Sequence, residues 1–218
     1  MNVGVPTIDV RHLVPADPIK TQWFERLVNP AAAACRFEKG PPGVNLMPLQ
    51  GPVGRYEGEA ESFNRRWCVT LSSSCQFWRK PAVLHTYLHE CAHLLVYDQH
   101  RRRDARTPGH GPIFLLIQLV LFHRVDRSCP EYNFSIFNTA CLYDFHESAF
   151  NESVPEYEWR SSAFSFAIKH YRHLAESDLS AEAVAKVAFD LWAQWTSEIR
   201  ATEIAREKHS KELVSLRA

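Results

Sequence analysis

Apolar residues recur at helical spacing through Val83, Leu84, Tyr87, Leu88, Cys91, Leu94 and Leu95. This spacing predicts a helix that opens at Pro81 and runs to about Tyr97. Proline suits the first helical position, because the N–H it lacks has no intrahelical partner there. A polar loop is expected from Asp98 to Gly109. Gly111-Pro112 then starts a second helix through Leu121, apolar on nearly every side and therefore expected at the centre of the fold. Nearer the C-terminus, Ser180 offers an N-cap, and Val184, Val187, Leu191, Trp195 and Ile199 form one stripe. Glu203 to Ala218 is too polar for a core and is expected to project or fray.

The first half of the chain has a different texture. Five of the eight glycines lie between Gly40 and Gly58, among Pro41, Pro42, Pro48 and Pro52, a composition of turns and short strands. Arg66 to Ser73 is rich in strand formers and ends in polar turn residues, so it predicts a strand, with a partner around Val53 to Ala60. Thr21 to Val28 predicts a short helix leading into the Ala31 to Ala34 run. After Pro155 no glycine or proline occurs in the final 63 residues, which are expected to be helical.

Composition narrows the class. The chain has 218 residues, 45% of them hydrophobic and 23% charged, which excludes disordered and fibrous chains. Lysine and arginine (25) balance aspartate and glutamate (25), so a uniformly basic nucleic-acid binder is excluded. The six cysteines contain no C-x-x-C pair, which disfavours zinc ribbons and dithiol redox motifs. Met1 to Val10 shows no secretory apolar region. The longest apolar stretch, Ile113 to Phe122, has ten residues and is interrupted by Gln118, half of what a membrane span requires. The expectation is a cytoplasmic protein without a membrane segment.

The candidate chemistry is His89-Glu90-Cys91-Ala92-His93, an H-E-x-x-H inside the first of these helices. Positions i and i+4 lie one above the other on a helix face, so two imidazoles there can hold one zinc ion. Glu90, a step round the helix, can reach a zinc-coordinated water as general base. A catalytic zinc wants three protein ligands and an open fourth position. His110, just before the Gly111-Pro112 helix start, is the best third donor. Competing donors are His85, His100, His123, His146 and Glu147. His85 lies one turn before His89, where a packed or supporting histidine is the simpler reading. His123 reads as a core or edge histidine.

The segment from Trp67 to Phe114 resembles the SprT-like metallopeptidases. The residues that carry the resemblance are Val69-Thr70-Leu71-Ser72, the helix from Val83 to His93, and His110-Gly111-Pro112-Ile113-Phe114. The resemblance implies His89, His93 and His110 as ligands of one Zn2+, with Glu90 catalytic. It also implies an α+β fold: a minimal zincin-like metallopeptidase domain, a small sheet packed on an active-site helix, over residues 1–150. Residues 151–218 would form an all-α C-terminal extension. No paired-cysteine ribbon follows the domain, so this chain lacks the DNA-targeting element of many members.

Charge adds one partner to the expectation. Residues 61–130 carry ten basic and five acidic side chains, and residues 131–160 one basic and six acidic. Arg101, Arg102, Arg103 and Arg106 fall between His93 and His110, where such a cluster can contact DNA phosphates. The acidic stretch from Glu131 to Glu158 is a candidate cover for it. Trp67, Phe77 and Trp78 are expected in the core rather than stacked on bases. Tyr97, Tyr132, Tyr143 and Tyr157 are the tyrosines considered for transition-state stabilisation. Two functions emerge: a zinc endopeptidase acting on protein substrates, including DNA-associated ones, or a non-catalytic zinc-binding module of SprT-like or antirestriction type.

Overall fold

The computed structural model describes residues 18–38, 40–47, 58–63, 66–72, 79–103, 110–130 and 156–215. They form α1 (Pro18–Cys35), β1 (Gly43–Met47), β2 (Gly58–Phe63), β3 (Arg66–Ser72), α2 (Lys80–Arg103), α3 (Pro112–Ser128), α4 (Glu156–Glu176) and α5 (Ala181–Ser215).

The α+β, zincin-like frame expected from the sequence is corrected. Of the residues whose side chains are described, 83% are helical and 4% lie in strands. The strands do pair, in the order β1-β3-β2, with β1 parallel and β2 antiparallel to β3. They supply only Val69 and Leu71 to the buried hydrophobic core among the described residues. The physical reason is visible in β2, Gly-Glu-Ala-Glu-Ser-Phe, which offers few apolar side chains to bury. The chain's apolar mass sits instead at helical spacing, and the protein is mostly helical.

The centre of that helical core is α3. Every residue from Pro112 to Phe122 is buried, as the all-round apolar pattern predicts, and α1, α2, α4 and α5 all pack against this helix. One cluster of buried residues runs from Leu27 in α1 to Phe189 in α5. The boundary expected at residue 150 lies outside the described residues.

Three boundaries differ from the pattern's expectation. α2 continues through Asp98 to Arg103, because no glycine or proline interrupts that stretch and Gln99 is buried. α1 continues past Pro30 to Cys35; burial of Leu27, Val28, Ala31, Ala32 and Cys35 offsets the backbone hydrogen bond that an interior proline removes. α3 runs past Leu121 to Ser128, whereas α5 is helical to Ser215, as the absence of breakers after Pro155 predicts. The Ser180 cap is observed: the Ala183 N–H donates to Ser180 Oγ at 3.0 Å.

A buried arginine helps tie the C-terminal helices to this core. Arg124 of α3 is 5% exposed. Its guanidinium donates to the carbonyls of Cys35, Leu174, Ala175, Ser177 and Leu179, at 2.8–3.3 Å. Those carbonyls lie at or beyond the ends of α1 and α4, where helical C=O groups have no intrahelical donor. Nearby, Arg36 holds a left-handed backbone (φ 59°) just after α1. Its Nη1 donates to Ser177 O and Asp178 Oδ1, both at 3.0 Å.

Candidate metal centre

α2 and α3 run antiparallel and match their four-residue ridges. His85, His89 and His93 occupy successive turns of α2; Phe122, Gln118 and Phe114 occupy successive turns of α3. The rungs are His85 stacked on Phe122 (centroids 5.2 Å), Gln118 Nε2 at 3.1 Å from His89 Nδ1, and His93 against Phe114 (4.3 Å). His110 arrives at the turn before α3, held there by the Gly111-Pro112 helix start. Phe114, one turn on, also meets the rings of His89 (5.0 Å) and His110 (4.8 Å). It is the common wall behind all three.

The three Nε2 atoms converge. His93 Nε2 lies 3.0 Å from His110 Nε2 and 3.2 Å from His89 Nε2, and His110 and His89 are separated by 3.2 Å. An imidazole nitrogen either carries a proton or presents a lone pair, never both. Around a three-membered ring of such atoms, at least one contact must therefore join two donors or two acceptors. Hydrogen bonding alone does not satisfy the triangle. A cation facing three lone pairs does. Tetrahedral Zn–N bonds of about 2.0–2.1 Å require nitrogens about 3.3–3.4 Å apart, within a few tenths of an ångström of the observed edges.

The protonation state agrees with a ligand role. Burial, then the neighbouring His89 and His110, push His93 down to about 2, so at neutral pH its ring is uncharged. The group can hold a metal ion. Glu90, the candidate base, is 6% exposed, and its position beside His89 on α2 follows from the motif.

The other candidates separate cleanly. His85 is packed between His89 and Phe122, a supporting rather than a ligating place. His123 lies beside Glu176 (4.0 Å) and Tyr171, and His100 meets Phe189 edge-on. Burial lowers the pKa of His100. Arg101, Arg102 and Arg103 form the last turn of α2 rather than a loop. Tyr97, one turn beyond His93, is 52% exposed. His146, Glu147, Arg106, Phe77, Trp78, Tyr132, Tyr143 and most of the acidic stretch lie outside the described residues, as do the side chains of Trp67 and Tyr157.

The sequence reading assigned no role to Gln118 beyond an interruption of an apolar run, nor to Phe114 beyond its place in the motif. Phe114 walls the triangle, and Gln118 meets His89 at Nδ1, the ring nitrogen outside it. Fold and site together define a mostly helical protein with a three-histidine candidate metal centre. No family model, curated protein or solved structure matches the chain. No helix among the described residues is long and apolar enough to cross a membrane.

Proposed function

We propose that the protein is a zinc-dependent metalloendopeptidase of the H-E-x-x-H type. The observation that carries this reading is the triangle of His89, His93 and His110 Nε2 atoms, with a glutamate in the position the motif requires. Three nitrogen donors with a fourth position left for water are the donor set of catalytic rather than structural zinc sites. Bound there, zinc supplies Lewis-acid polarisation of the scissile carbonyl and acidifies its coordinated water. Glu90 takes the proton from the attacking water and hands it to the departing amine. Phe114 and the apolar body of α3 back the ligands and exclude water from that side.

The resemblance of residues 67–114 to SprT-like metallopeptidases supports peptide bonds as the substrate, and the arginines ending α2 support proteins held on DNA. Free thiols at Cys35, Cys91 and Cys129 suit a reducing, cytoplasmic compartment. The alternative, a zinc-binding module without catalysis, keeps the triangle and leaves Glu90 without a task.

The test compares wild type with Glu90→Gln, both loaded with zinc, on casein and histone with and without single-stranded DNA. Wild type should cleave, and Glu90→Gln should keep its metal and lose activity by roughly 100-fold or more. Equal cleavage by the two would sink the assignment of Glu90. Zinc binding with no cleavage by wild type on any substrate would favour the module.

A further inference from the structure

Gln118 is the one polar side chain in the buried run from Pro112 to Phe122, and it is 0% exposed. Burying a primary amide among apolar neighbours is costly unless its groups are hydrogen-bonded. A leucine or methionine would fill the space without that cost, so the amide calls for a partner.

That partner is His89. Gln118 Nε2 stands 3.1 Å from His89 Nδ1, while Gln118 Oε1 is buried with no hydrogen-bond partner. In this orientation the amide donates to Nδ1, which puts the His89 proton on Nε2, inside the triangle. A protonated Nε2 has no lone pair for a metal. A half-turn of the amide exchanges its oxygen and nitrogen within nearly the same outline. Oε1 then accepts from Nδ1–H across the same 3.1 Å contact, the NH2 takes the place of the oxygen, and the Nε2 lone pair of His89 faces His93 and His110.

We propose that Gln118 is a positioning residue that presents Oε1 to His89 and holds it in the Nδ1–H tautomer, ready to ligate a metal through Nε2. The proposal deepens the zinc reading given above and rests on it for the identity of the ligand. Carboxylate or carbonyl partners commonly serve a metal-bound histidine in this way; here a side-chain amide from the central helix takes that place. It also explains why the otherwise apolar run from Pro112 to Phe122 carries a glutamine at the level of His89.

Two measurements test it. In the metal-free protein, histidine 15N shifts should show His89 protonated at Nδ1. Gln118→Met, which keeps the volume and removes the hydrogen bond, should shift His89 toward the other tautomer. Competition titration with Zn2+ or Co2+ should then show affinity weakened by about 10–100-fold in Gln118→Met. In Gln118→Glu, whose ionised carboxylate only accepts, affinity should return to near the wild-type value. A purely structural glutamine would show no such rescue. The proposal is overturned if wild-type His89 carries its proton on Nε2, or if Gln118→Met keeps both tautomer and affinity. A wild type with the Nδ1–H tautomer that binds no metal would instead overturn the zinc reading and leave the hydrogen bond standing.

Discussion

His93 Nε2 and His110 Nε2 meet at 3.0 Å, joining the middle of α2 to the turn before α3 along one edge of a triangle that hydrogen bonds alone cannot satisfy. Removing one corner should therefore remove the site. His110→Ala is expected to weaken Zn2+ binding by more than about 100-fold, beyond the loss typical of an outer hydrogen-bond partner. Isothermal competition titration checks this, and full retention of zinc would exclude His110 as a ligand.

Metal removal should lower thermal stability, because a site assembled from two helices exists only in the folded chain. At free zinc about 100 times the dissociation constant the gain is about 2.7 kcal/mol, or roughly 5–10 °C in Tm for a chain of this size. Differential scanning calorimetry before and after chelation reads it. His110→Ala should show no such difference.

Acid should destabilise the metal-free protein earlier than its carboxylates alone would predict. His93 is held down to about 2 in the folded state, against an ordinary value near 6.5 in the unfolded chain. Between those values the unfolded state binds the extra proton, so stability is full above about pH 6.5 and falls as pH drops through that window. His100 and His170, both lowered by burial, act with the same sign. Urea midpoints of the metal-free protein from pH 7 to 4 test this. His93→Leu should flatten the decline, and an unchanged slope would show that His93 does not cause it.

Arg124→Met should cost on the order of 3 kcal/mol or more, since it leaves several buried carbonyls without donors. Arg124→Lys should recover little, because a single ammonium cannot fan out over five acceptors. Chemical denaturation of both variants measures the loss.

The candidate ligands were legible because metal chemistry needs side chains at fixed helical spacing, and His89 and His93 lie within five residues with Glu90 between them. His110 was legible from the rigid helix start behind it. Gln118 was half legible: the sequence shows a break in an apolar run, but its reason lies 29 residues away across a helix interface. Arg124 left no local signal at all, since its acceptors are brought together only by tertiary packing. The fold class was misjudged for a related reason. Strand-forming residues at 66–73 were visible, but local pattern does not show how little of the core a strand supplies. That depends on what the helices bury first.

The antiparallel match of α2 on α3 has a consequence beyond ligand placement. Its rungs repeat every four residues, so the two helices have a neighbouring alternative alignment one rung away, about 6 Å along the axis. A slip of that size would set His93 against Gln118 and His89 against Phe122, and three nitrogens would no longer meet. The site thus works as a gauge of alignment. Any distant change that lets α2 creep along α3, including one at the Arg124 anchor, should announce itself first as lost metal affinity while the helices remain intact.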